Sequence, residues 1–121
     1  MPTTTVSNNY TNKITDLDLD STAEQLHTGS KSLRGAEFDN SQNTAKSYAK
    51  LYNSAGVVSV GTTVPDYVIP CPAGAIVSII FGDDGAGETF SAGTAIAGVT
   101  TGGVAGSTPP VNALMATLLT F

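Results

Sequence analysis

From Ser32 to Phe121 the sequence is cut at close intervals by Gly, Pro, Asn and Asp into short runs rich in Val, Ile, Thr, Tyr and Phe. That punctuation is the pattern of an all-β protein built from short strands and turns. Strands are predicted at about 32–38, 47–53, 57–60, 66–71, 75–81, 88–91, 94–100 and 111–120. Turns are predicted at Asp39-Asn40-Ser41, Pro72-Ala73-Gly74 and Asp83-Asp84-Gly85, where the residue types tolerate or preset turn dihedrals. No good helix start interrupts this region, and the nearest helical candidate, Ser21 to Leu26, is about one turn long. The expected fold is an antiparallel β-sandwich, Greek-key or jelly-roll-like.

Side-chain parity refines the expectation. In the second strand Ala49 and Leu51 alternate with Tyr48, Lys50 and Tyr52, and in the fourth Tyr67, Ile69 and Cys71 alternate with Asp66, Val68 and Pro70. Val77, Ile79 and Phe81 share a face with Ala75, with Ile76, Ser78 and Ile80 on the other, so both sides of this strand are expected to be covered. Leu33 is out of step with Ala36 and Phe38, and a bulge at Gly35 would restore parity. Pro70 and Pro72 place the end of their strand at a sheet edge or beyond the pairing. The last strand carries Leu114 and Leu118 on one face and Met115, Leu119 and Phe121 on the other, which calls for two packed layers or a partner subunit.

Residues 1–28 read differently, as an extended N-terminal arm preceding a sandwich domain at 29–121. The apolar residues Val6, Tyr10, Ile14, Leu17, Leu19 and Leu26 are scattered among Thr, Asn, Asp and Ser and cannot form a core alone. Fixing such a segment costs ~1 to 2 kcal/mol per residue in backbone entropy, so it needs something to hold it. Ile14, Asp16, Asp18 and Asp20 alternate with Thr15, Leu17 and Leu19 at the period of a strand, so the middle of the arm can add to a sheet.

Composition narrows the function classes. Charged residues make up 12% of the chain, the net charge is −5, and all five basic residues, Lys13, Lys31, Arg34, Lys46 and Lys50, lie in the first half. Gripping a phosphate backbone needs clustered Lys and Arg, so nucleic acid is not an expected partner. The single Cys71 excludes an intrachain disulfide, and with His27 as the sole histidine there is no Cys/His set for zinc. The N-terminus lacks the pattern of a signal peptide, and no apolar run approaches the ~18 residues of a membrane span. Synthesis in the cytoplasm and no membrane association are expected.

The candidate sites are weak. Asp16, Asp18 and Asp20 have the alternation of a calcium loop, but the sixth and twelfth positions of such a loop hold Ser21 and His27 instead of Gly and Glu, so a solvated strand face is the stronger reading. Asp83, Asp84 and Glu88 read first as turn chemistry. His27 has no nucleophile context, and the glycines of the 82–87 segment have neither the Lys nor the following helix of a phosphate cradle. Cys71, in register with Tyr67 and Ile69, reads as a small buried hydrophobe. No cofactor, metal or catalytic residue is expected, and the chain is read as non-enzymatic. Tyr48 and Tyr52, set outward on their strand, are interface candidates, together with Tyr10, Ile14, Leu17, Leu19 and Phe121.

The runs SYAKLYNSAG at 47–56, VGTTVPDYVIPCPAG at 60–74 and FGDDGAGETFSAGTAIAGVTTG at 81–102 resemble a pattern in small structural proteins of tailed bacteriophages. Its elements are an aromatic, a KLYN segment, a VGT-x-x-P step, an apolar strand and a PAG turn. The likeness covers about residues 31–121 and departs after Thr101, where this chain reads GGVAGSTPPVN. The resemblance implies an antiparallel sandwich of the virion, a capsid decoration (cement) protein on the outer shell that bridges major capsid protein subunits. It also implies a homo-oligomer, with a trimer favoured over a dimer, and it brings no catalytic residues. A tail, neck or fibre component, a carbohydrate- or receptor-binding module and a small hydrolase are the alternatives.

Overall fold

The computed structural model describes residues 12–82 and 87–121, and every regular element in that range is a strand. Nine strands follow in chain order: β1 (Asn12–Leu19), β2 (Glu24–Thr28), β3 (Lys31–Asp39), β4 (Ser47–Asn53), β5 (Tyr67–Cys71), β6 (Ile76–Ile80), β7 (Glu88–Phe90), β8 (Gly93–Val99) and β9 (Leu114–Thr120). They form two antiparallel sheets. The first has the order β1-β9-β3-β6, with β7 continuing along the same side of β3 as β6, and the second has the order β2-β8-β4-β5. If β6 and β7 are taken as one interrupted strand, the first strand pairs with the last, the second with the seventh, the third with the sixth and the fourth with the fifth. That nesting, laid out in two sheets, is a jelly roll.

The core lies between the sheets. Leu19, Leu33, Phe38, Leu51, Ile96, Leu114 and Leu118 are fully buried there, with Phe81 and Phe90 at one end, where Tyr67 meets Phe81 edge-on at 5.4 Å and stacks over Phe90 at 6.2 Å. Cys71 is buried in the same cluster, and burial pushes its thiol up to about 11. The bulge expected at Gly35 is present. Leu33 pairs with Thr120 and Gly35 with Leu119, so β3 carries one residue more than β9, and Leu33, Ala36 and Phe38 all reach the core. The predicted turn at Pro72-Ala73-Gly74 closes with Ala75 N donating to Pro72 O at 3.2 Å, and Gly74 supplies the positive φ of 69°. Its counterpart at Asp83-Asp84-Gly85 lies outside the described residues.

Several expectations are corrected. The strand expected in the middle of the arm is present as β1, flanking β9 in one sheet, but β2 also flanks β8 in the other, so from Asn12 onward the chain is part of the sandwich and the domain does not begin at 29. Two strands that cannot bury a face alone are held by the backbone of a neighbour and by Leu19 in the core. The one-turn helix at 21–26 is instead the turn into β2 and its first residues. The 57–60 run, read as a strand, is a loop laid across the second sheet, where Val58 and Val60 pack on Tyr52, Ala95 and Ala97. Finally, β6 is covered on one side only. Val77 and Ile79 pack against the core, whereas Ile76, Ser78 and Ile80 face solvent.

Candidate interaction surface

The outer faces of the two sheets differ. On the second sheet, Tyr52, Ala95 and Ala97 form a small second core under Ala23, Val58 and Val60. Beside them the 100–113 segment folds over β4, where Lys50, fully buried, donates from Nζ to Gly106 O at 2.6 Å and to Val104 O at 3.3 Å. Desolvation pushes the Lys50 ammonium below its ordinary range, and burial raises the Tyr52 phenol. Tyr48 is half-buried, with Lys46 Nζ 5.1 Å above its ring and Gly102 against its edge.

Nothing of the described chain covers the first sheet in this way. Registers across β1, β9, β3 and β6 place Lys13, Leu119, Gly35 and Ile80 in one outward row and Thr15, Thr117, Glu37 and Ser78 in the next, with Met115, Asp39 and Ile76 in a third. Leu17 stands at the bulge of β1 and is 68% exposed, Ile80 is 72% exposed and Ile76 56%. Phe121 extends the apolar strip past β9. Its N–H donates to Ser32 O at 2.9 Å and its ring edge approaches Gly87, where no Cβ would fit. Half-exposed Met115 and Leu119 link these groups. The surface is therefore apolar toward its borders and hydroxyl-rich between, with Glu37 and Asp39 along β3 and Lys13 on the β1 edge.

The sequence-derived interface candidates divide accordingly. Leu17 and Phe121 belong to the exposed face. Ile14 points inward and packs against the core, Leu19 is in the core, and Tyr52 is buried under its own loops, so these three are corrected to structural roles. Tyr48 is partly taken up by Lys46 and Gly102. Tyr10 lies outside the described residues. Ile76, Ile80, Met115 and Leu119 complete the face; parity had set them together on their strands without marking them as interface residues. The signal was the double apolar character of β6 and β9, two strands that flank β3 in the same sheet and each carry apolar groups on both faces.

Other sites offer less chemistry. A groove of about 510 Å³ runs between 21–25 and 56–60, lined by Ser21, Thr22, Gln25, Val57, Val58 and Val60 among others. Gln25 is already engaged, donating to Ser54 O at 2.7 Å and His27 O at 2.8 Å, and Val57 on the rim is 95% exposed. The His27 ring is lowered from its usual pKa by burial and then by the Lys31 charge. Among the described residues no helix is long and apolar enough to cross a membrane. Comparison with protein-family models, with curated proteins and with solved structures finds no match to this chain.

Proposed function

We propose that this chain is a non-enzymatic structural protein of a bacteriophage virion. It is made in the host cytoplasm and decorates the outer capsid shell, where it bridges neighbouring major capsid protein subunits. The observation that carries this reading is the uncovered outer face of the β1-β9-β3-β6 sheet. A jelly roll whose other sheet is wrapped by its own loops leaves Leu17, Ile76, Ile80, Met115, Leu119 and Phe121 on one side. Large apolar side chains left exposed together on one uncovered sheet face suit a protein contact. Glu37 and Asp39 along β3 select a partner surface that combines apolar groups with Lys or Arg, the complement of an acidic patch. The resemblance of the 47–56, 60–74 and 81–102 segments to small phage structural proteins supports the same setting, and the net charge of −5 suits an outer position away from packaged nucleic acid.

Copy number in purified particles tests the proposal. Decoration of the shell requires abundance comparable to that of the coat protein. A handful of copies at one vertex would assign the chain to the tail or neck, and its absence from particles would end the virion reading.

A further inference from the structure

We propose that the outer edge of β6 receives an extended strand of the capsid partner, apolar at alternate positions and carrying a Lys or Arg opposite Ser78. The identity of the partner rests on the capsid reading above; the open edge is a property of the fold. β6 ends its sheet beside β3, and among the described residues no strand pairs with its other side. The bonds from Asn40 N to Ala75 O at 2.9 Å and from Phe81 N to Arg34 O at 3.0 Å set the phase of the β3–β6 ladder. Val77 and Ile79 therefore bond to β3, while the N–H and C=O groups of Ile76, Ser78 and Ile80 point to the open side. Such a row is a template for another strand.

The other edges are guarded. β1 carries Lys13, Asp16 and Asp18 and shifts register between Asp16 and Leu19. β2 carries Glu24 and shifts between Gln25 and His27, β5 contains Pro70, and β7 is three residues long. In contrast, β6 reads IVSII, with no charge, Pro, Gly or register shift. Bulges, charges and proline are the devices that keep an edge from pairing, and β6 has none of them.

Ile76 and Ile80 belong both to this edge and to the uncovered face, so a partner seated on the face also meets the edge. In strand addition the main chain supplies affinity and alternate side chains supply selectivity. Ser78 pairs with Glu37, and both are exposed on the outer face. Neighbouring strands lie ~4.7 to 4.9 Å apart, so a Lys or Arg opposite Ser78 reaches over the small hydroxyl to the Glu37 carboxylate. A second copy set β6 against β6 about Ser78 would place serine opposite serine and bring no cation over Glu37. It would also leave Leu17, Met115, Leu119 and Phe121 uncovered.

The test is hydrogen exchange at single-residue resolution on the chain, free and bound to purified particles. The amides of Ile76, Ser78 and Ile80 should exchange roughly tenfold more slowly or better on particles, while Val77 and Ile79 are protected in both states. Ser78→Pro removes an outward N–H and leaves the β3 ladder intact, so it should melt close to the parent and bind particles about tenfold more weakly. Ser78→Thr restores the N–H and should bind more tightly than Ser78→Pro. Binding to particles without slower exchange at the three amides overturns the strand and leaves the capsid reading standing. No binding to particles removes the capsid reading and the proposal with it. Protection of the three amides in the free chain that grows with its concentration assigns the edge to a second copy, and overturns the proposal as well.

Discussion

Asn40 holds together one end of the sandwich. Its side chain is fully buried; Nδ2 lies within 3.1 Å of Ala45 O, Cys71 O and Pro72 O, and Oδ1 accepts from Asn43 Nδ2 at 2.8 Å. Asn43 then reaches Asn112, donating to its carbonyl and accepting from its N–H, both at 2.8 Å. Three loops thus meet on two amides. Asn40→Ala strands buried carbonyls without a donor and should cost on the order of 3 kcal/mol, read as a lower urea midpoint. Asn40→Asp should be worse, because it sets a carboxylate against carbonyls. Lys50 poses the opposite problem, a charge buried on carbonyl oxygens alone. Its folded pKa is depressed below 10.5, so over the interval just under that value the unfolded chain holds a proton that the folded chain has released. Stability should therefore rise with pH there, and the slope should be missing in Lys50→Met. The same variant should melt no lower than the parent while hydrogen exchange quickens across 100–113, because packing replaces a poorly solvated charge but the loop loses its anchor.

At the scale of strands, β9 sits between β1 and β3 and presents Leu114, Ala116 and Leu118 to the core. Leu118→Ala should cost about 2 to 5 kcal/mol, and Leu118→Asp should abolish the cooperative melt. Deleting residues 1–28 should have the same outcome, because it strips a strand from each sheet and Leu19 from the core. A truncated chain that still melts cooperatively would show that β1 and β2 are dispensable additions. That expectation reverses the one drawn for a loosely attached arm, and the reversal shows what was readable. Strands such as β4 and β9 were legible because Ala49 and Leu51, or Leu114 and Leu118, alternate with the strand period. The Gly35 bulge was legible because parity failed at a glycine. In contrast, β2 reads EQLHT and carries one apolar residue, Leu26; it becomes a strand because β8 offers it a backbone edge. The run VVSV at 57–60 has strand composition, yet its apolar groups cover the small side chains Ala95 and Ala97 instead of joining a ladder. Local pattern records which residues avoid water, and does not say whether a sheet or a loop provides the cover.

At the scale of the whole molecule, the same limit applies to the functional surface. Tyr48 and Tyr52 were expected outside because parity places them opposite Ala49 and Leu51, and that parity holds. The 57–60 loop just after β4 and the distant 100–113 segment then cover their side of the sheet, and only the tertiary structure reveals this. The face left bare is the outer side of the other sheet, and its charge pattern constrains what can sit there. Two copies joined face to face about a twofold axis that runs close to Glu37 and Asp39 would set these carboxylates against their copies, and like charges brought together out of water oppose association. Head-to-tail contacts around a threefold axis avoid that juxtaposition, so light scattering at high micromolar concentration should give a trimer; a face-to-face dimer would contradict this account of the surface. Attachment should depend on the apolar border. Leu17→Lys combined with Ile80→Lys adds charge at two exposed positions, so the melting temperature should stay close to that of the parent. Binding to particles should fall at least tenfold, since the partner would have to desolvate two ammonium groups beside its own cations. Val57→Lys, on the loop over the opposite sheet, adds one of the same charges at a position of 95% exposure and should leave both binding and melting unchanged. If the double variant binds particles as the parent does, or Val57→Lys weakens binding as much, the docking surface lies elsewhere on the molecule.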